Sequence, residues 1–311
     1  MKKNLISVVI PVYNEEENLP IFYERLTEAI KDKNYTSEII FVNDGSYDNS
    51  WKIIQELAKK DNRVKGYNLS RNSGSYAAIE CGFNHAQGNA VMSICADLQD
   101  PPEIINKFVP EWEKGNHIIW GTRDGRDDPF FKTIFANLFY SIIRKIAFPS
   151  FPKGGMDIGL FDRNIIEKYL TFKDRNSIPF FTIFSMGFKQ VCIPYRREKR
   201  LHGESGWPFW KRIKCAIDIA IGFSYIPIRI ITTVGILCAF IAFLYGGTII
   251  ASKLFGIANF ASEGWSSLAV LILFVGGIQM VFMGIIAEYL WRTNDRVKNF
   301  PVYMVMDETK K

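Results

Sequence analysis

The chain has 311 residues, enough for one sizeable α/β domain with an appended module, and a formal net charge of +6. Its mean hydropathy near zero hides a split: the N-terminal part reads as soluble, whereas the last third contains two long uncharged stretches. No nucleic-acid motif accompanies the positive charge, and the basic residues crowd around apolar segments, so the expected partner is an anionic membrane surface and not nucleic acid.

In chain order, Leu5–Val12 (LISVVIPV) is a continuous apolar run expected to form a strand covered on both faces. Glu17–Asp32 follows with helical spacing of Leu19, Phe22, Tyr23, Leu26 and Ile30. Glu38–Val42 predicts a second buried strand, Ser50–Lys60 an amphipathic helix, Val64–Leu69 a third strand and Ser75–Ala86 a third helix. Ala90–Cys95 predicts a fourth strand, and Pro101-Pro102 is well placed to start a helix over Glu103–Lys114. A last strand is expected at Ile118–Thr122. Repeated strand–helix units predict a mostly parallel, Rossmann-like α/β sheet with helices on both sides.

Two amphipathic segments follow, 129–148 and 207–228, with aromatic residues beside lysine and arginine, expected to lie in the plane of a membrane. Ile230–Ser252 carries no charge and would span about 34 Å as a helix at ~1.5 Å per residue, enough to cross a hydrocarbon core of ~30 Å. Gly264–Ala287 is a second such run. Arg229 precedes the first and Arg292, Arg296 and Lys298 follow the second, whereas the connector holds only Lys253 near its edge. The positive-inside rule then puts the N-terminal domain and both termini in the cytoplasm, around a transmembrane hairpin. The opening MKKNLISVVIPVY is not expected to be a signal peptide, because its apolar run breaks at Pro11. The expected division is a catalytic core at 1–128, an acceptor-side part at 129–229, the hairpin at 230–291 and a cytoplasmic tail at 292–311.

The five cysteines (Cys81, Cys95, Cys192, Cys215, Cys238) form no C-x-x-C pair, and no histidine lies at zinc-ligand spacing from them. Reduced, packed cysteines are expected. In parallel sheets ligands bind beyond the carboxyl ends of the strands. There the chain places Tyr13-Asn14-Glu15-Glu16, Asn43-Asp44-Gly45-Ser46 and Asp97-Leu98-Gln99-Asp100. Three acidic strand ends on one edge suit a base and ribose held by hydrogen bonds, with a divalent cation bridging carboxylate to diphosphate. The glycine-rich dinucleotide and phosphate-loop fingerprints are absent.

The segments SVVIPVYNEE (7–16), VNDGS (42–46) and ADLQDPPE (96–103), with the two apolar runs, resemble the inverting GT-A glycosyltransferases of family 2. Within it, the form is similar to the branch that glycosylates polyprenyl phosphates, the dolichol-phosphate sugar synthases and bactoprenol glycosyltransferases. The likeness covers nearly the whole chain, including Tyr195-x-Arg197-x-x-Arg200-x-x-Gly203-x-Ser205. It implies a GT-A fold and inverting transfer of a sugar from a nucleotide-sugar, with UDP favoured, to undecaprenyl or a related polyprenyl phosphate. By the same resemblance, Pro11, Tyr13, Asn14, Glu15, Asp44 and Asp97 bind the nucleotide-sugar, and Asp97 and Gln99 hold Mg2+ or Mn2+. Asp157 joins Asp97 and Gln99 at the reacting centre, and Arg123, Arg197, Arg200 and Ser205 meet acceptor or donor phosphates. Relatives also imply a homo-oligomer assembled through the membrane segments.

The chain departs from that pattern at Cys95, where a further aspartate is frequent, at Gly159, where an arginine is common, and at Gly206, where Ser-Lys is usual. The resemblance therefore implies fewer cations around the phosphates. Two other readings compete: a processive polysaccharide synthase, whose Q-x-x-R-W element is absent here, and a non-catalytic module binding nucleotide-sugar or lipid.

Overall fold

A computed structural model describes residues 4–124, 141, 143–145, 148–152, 154–172, 178–198, 226–255, 264–298 and 300–309. The chain divides into two compact units, residues 1–214 with 299–311, and residues 215–298.

The first unit is built on strands β1 (Leu5–Val12), β2 (Thr36–Asn43), β3 (Val64–Leu69), β4 (Ala90–Ser93), β5 (Ile118–Arg123), β6 (Ile158–Asp162), β7 (Gln190–Tyr195) and β8 (Val305–Glu308). Its helices are α1 (Asn18–Ala29), α2 (Ser50–Lys60), α3 (Ser75–His85), α4 (Ile105–Glu113), α5 (Arg163–Leu170) and α6 (Pro179–Ser185). The strands form one sheet in the order β7-β5-β6-β4-β1-β2-β3-β8. All run the same way except β6, antiparallel to β4 and β5, and β8, antiparallel to β3. The mostly parallel α/β sheet expected from the sequence is present.

Alternation along β1 sends its side chains to two layers. Ile6, Val8, Ile10 and Val12 join Leu19, Phe22 and Leu26 of α1, Ile54 of α2 and Ile105 and Phe108 of α4 in one core. On the other face α3 approaches so closely that a Cβ on Gly82 would meet Val9 Cγ1 at 2.2 Å. There Trp120 packs edge-on against Phe161, with ring centroids 5.1 Å apart, and Phe83 packs against both Phe161 and Tyr169. Full burial of such side chains contributes about 1.5–3 kcal/mol each, which makes the two cores the main source of this unit's stability.

At the amino ends of the strands, Glu38 is buried and accepts from Ser7 Oγ (2.6 Å), Lys65 Nζ (2.6 Å) and Gln87 N (2.6 Å). Burial alone would raise this carboxyl's pKa, but the Lys65, Ser7 and Gln87 bonds hold it below the ordinary glutamate value.

The tail beyond the second apolar run, expected only as a tail, carries β8. Thr309 N donates to Gly66 O and Gly66 N to Thr309 Oγ1, both at 2.9 Å. Glycine is required at 66, because a Cβ would meet Ile54 Cγ2 at 2.5 Å and Thr309 Cγ2 at 2.9 Å.

The second unit contains two long helices, α7 (Ile226–Phe255) and α8 (Trp265–Lys298). Both extend beyond the uncharged runs and are long and apolar enough to cross a membrane, within Ile228–Tyr245 and Phe274–Asp295. Their large side chains face outward: Phe243 is 78% and Met280 71% exposed. The expected amphipathic segment 129–148 lies largely outside the described residues. So does 207–228, apart from its last three residues, which begin α7.

Candidate active site

Because β4, β1 and β2 are adjacent and parallel, their carboxyl ends bring the three acidic turns to one edge. Pro11 is buried in β1 and paired with Val42. Beyond it the chain turns out at Tyr13, which is 40% exposed, and Asn14, whose φ is +53°. Asparagine tolerates this left-handed conformation better than most residues. The turn is locked to the one after β2: Asn14 N donates to Ser46 Oγ (3.0 Å), Tyr47 N to Asn14 Oδ1 (2.9 Å) and Glu15 N to Ser50 Oγ (2.9 Å). Asn18 Nδ2 donates to Glu15 Oε2 (2.5 Å). Tyr13 and the exposed Tyr47 stand edge to face, with centroids 6.4 Å apart.

Asp44 is buried, and both its oxygens accept backbone bonds from the loop after β3, from Ser73 N (2.7 Å) and Gly74 N (2.9 Å). Burial outweighs these bonds and pushes its carboxyl up to about 6. The next residue must be glycine: Gly45 has φ +65°, and a Cβ there would lie 2.6 Å from the backbone of Arg71 and Asn72.

After β4 the chain passes Cys95 and reaches Asp97, which is buried and accepts from Gln99 N (3.2 Å). Leu98 between them is buried with φ +57°. The thiol of Cys95 is pushed well above its usual range, first by loss of water and then by Asp97, Asp100 and Asp157. The thiol therefore adds no negative charge beside Asp97. Asp100 is 1% exposed and accepts from Tyr195 Oη (2.5 Å), while Arg197 Nε lies 3.7 Å from the same oxygen. Burial, and then the charge of Asp157, push Asp100 up to about 6.

The reversed strand β6 explains how Asp157 arrives here, because the start of an antiparallel strand lies level with the ends of its parallel neighbours. Asp157 immediately precedes β6 and pairs with Arg123, the last residue of β5. Gly154 lets the chain pass over this strand end, since a Cβ would meet Arg123 O at 2.5 Å. Gly159 has a different meaning from the one its sequence position implies. A side chain there would start 2.5 Å from Phe161 Cζ and 3.1 Å from Trp120 Cε3, inside the aromatic core. In this chain the position is a packing site and not a place for a phosphate-binding cation.

The fold thus brings Tyr13, Asn14, Glu15, Asp44, Asp97, Gln99, Asp157, Arg123 and Arg197 to the strand ends of one sheet. Arg200, Ser205 and Gly206 lie outside the described residues. Sequence reading missed Tyr195 as the partner of Asp100 and the Ser73–Gly74 loop as the partner of Asp44. No local pattern signals either, because the contacts join residues 95 and 29 positions apart. Cys192 is exposed on β7 and not packed as expected; Cys81 is buried, and the described cysteines are free.

A mostly parallel sheet with carboxylates gathered beyond its strand ends, joined to two long apolar helices, defines an α/β enzyme domain with a membrane-type module. Residues 7–191 match Glycosyl transferase family 2. An uncharacterized glycosyltransferase from Synechocystis sp. is 35% identical over 303 residues, covering 97% of this chain and 95% of the relative. A prophage bactoprenol glucosyl transferase homolog of Escherichia coli is 36% identical over 96% of this chain and 98% of its own length. The bactoprenol glucosyl transferase of Shigella phage SfV is 35% identical over 98% and 99%. The chain belongs to glycosyl transferase family 2 and is a glycosyltransferase.

Proposed function

We propose that this chain transfers a sugar from a nucleotide-sugar, a UDP-sugar by preference, to a polyprenyl phosphate such as undecaprenyl phosphate, with inversion at the anomeric carbon. The observation that carries this reading is similarity over nearly the full length to proteins named bactoprenol glucosyl transferases, apolar helices included. Both helices cross the membrane in this proposal, and the sheet unit lies on the cytoplasmic face. Arg229 before the first span and Arg292 after the second support that orientation.

A lipid phosphate is already anionic at neutral pH, so it attacks the anomeric carbon without a strong general base. The site's task is to bring two anionic groups together and to stabilise the departing nucleoside diphosphate. Tyr13 and Asn14 border the nucleotide, and the buried bonds of Asp44 fix the floor beneath it. Arg123, Arg197 and Arg200 meet the phosphates, with Arg123 steered by Asp157 at the reacting centre. Asp97 and Gln99 supply hard oxygen donors that suit Mg2+ or Mn2+, and the described residues hold no cluster of three His, Cys, Asp or Glu for a metal. A donor pair of this kind fits a cation that keeps waters and takes its other ligands from substrate phosphates. When bound, the cation would neutralise charge on the leaving diphosphate.

The test is incubation of the purified full-length protein with radiolabelled UDP-sugars and undecaprenyl phosphate. A single chloroform-soluble glycolipid of one sugar per lipid is expected. A polymer would favour the processive synthase, and no product with any donor would favour the binding module.

A further inference from the structure

The segment leaving β7 is tied to the loop carrying Asp97 and Gln99 at three points. Tyr195 Oη donates to Asp100 Oδ1 (2.5 Å), and Glu198 N donates to Gln99 O (2.8 Å). Arg25 on α1 bridges the two segments, with bonds of 2.8–3.0 Å to Glu103 on one side and Glu198 on the other. The Arg25 bridge is largely exposed and so contributes modestly. The Asp100–Tyr195 bond is different, because both residues are at most 5% exposed. A carboxylate so removed from water is costly unless it is bonded.

The loop needs to be held. Leu98 sits at φ +57°, a left-handed conformation that a leucine seldom adopts and that persists only where its surroundings impose it. Asp100 Oδ1 is turned to this task and away from a cation, because it is taken by Tyr195 and lies beside Arg197.

We propose that Asp100 is a positioning residue: by binding Tyr195 it holds the Asp97–Gln99 turn in its left-handed conformation and fixes that turn to the segment bearing Arg197. The donor end and the phosphate end of the site then keep one spacing. The inference rests on the reading of Asp97 and Gln99 as donor-side residues, although the latch itself is a property of the fold.

Amide hydrogen exchange of the full-length protein in nanodiscs reads the latch directly. Asp100→Ala and Tyr195→Phe should each speed exchange of the amides at 97–100 about tenfold, the expected effect of one lost buried bond, while β1 and β2 amides are unchanged. Asp100→Asn, which keeps an acceptor for the Tyr195 hydroxyl, should recover much of the protection. Manganese binding followed by electron paramagnetic resonance should weaken in the same order, with Asp100→Ala worst and Asp100→Asn near the parent. Unchanged exchange at 97–100 in both Asp100→Ala and Tyr195→Phe overturns the proposal. Should Asp100→Ala fail to fold, Tyr195→Phe, which removes one hydroxyl, decides alone. A parent protein that binds no manganese would sink the cation reading, and the exchange comparison would still decide the role of Asp100.

Discussion

Two carboxylates beyond the carboxyl ends of β4 and β2, Asp97 and Asp44, meet different surroundings, and substitution to asparagine should separate them. At Asp97 an amide still accepts the Gln99 N–H bond, so Asp97→Asn keeps the turn and loses the charge. Removing a charge that acts on the departing diphosphate should lower transfer at least about a hundredfold with the unfolding midpoint within a few degrees of the parent. Near-normal turnover would sink the donor-side assignment. Asp44 should show itself through pH. Its pKa is raised to about 6 against an ordinary 3.8, so the folded state holds the proton more tightly. That contribution to stability is fully present below about pH 4 and is lost as pH rises through about 6. Between pH 5 and 7 the parent should lose about 1.3 kcal/mol relative to Asp44→Asn, as follows from the two pKa values by linkage. Paired denaturant titrations in detergent at both pH values give that difference; parallel pH profiles would show that Asp44 is not the group responsible.

At the scale of elements, the stretches with strong periodicity were legible and the interleaved ones were not. Leu5–Val12, Ser50–Lys60 and Val64–Leu69 have the same limits in sequence and structure, because each is a run of one period bounded by polar turns. Beta-branched Val and Ile make β1 readable, whereas β6 is five residues with a glycine in second place and reads as loop. Its direction depends on pairing with β4 and β5, which are separated from it by tens of residues, and no local propensity encodes that. The same gap explains why Gly159 looks like a missing arginine in the sequence and is a packing position in the fold. Gly159→Arg, which introduces the residue that the family resemblance implies at this position, should therefore damage this protein. Its Cβ would collide with Phe161 and Trp120, both fully buried, and its charge would enter an aromatic core. A loss of about 3 kcal/mol or more is expected from overpacking and desolvation together. Thermal unfolding followed by tryptophan fluorescence would measure it; a variant as stable as the parent would mean that β6 does not face this cluster.

For the whole molecule, the strand that the sequence did not disclose bears on membrane topology. Residues before α7 and after α8 belong to one folded unit, with β8 bonded to β3 through Tyr67, Asn68 and Leu69 and tied to Gly66 through Thr309. A sheet whose backbone groups are paired cannot have members on opposite sides of a bilayer, so in the proposed membrane arrangement the chain between Lys214 and Asn299 crosses an even number of times. Two apolar helices satisfy this, and a single crossing with the other helix lying flat does not. In that proposal the charge asymmetry of the flanks puts the sheet unit on the cytoplasmic side. Exposed Cys192 is a natural probe for the sheet unit, and a cysteine introduced at Lys311 reports the tail. A membrane-impermeant maleimide should label both from the cytoplasmic side of inverted vesicles and neither in intact cells, while a cysteine placed in the connector at Ser262 should show the reverse. Labelling of Cys192 and position 311 from opposite sides would mean that β8 does not pair with β3 in the membrane-bound protein. Labelling of both from outside would leave the sheet intact but overturn the cytoplasmic assignment, and with it access to a nucleotide-sugar made inside the cell.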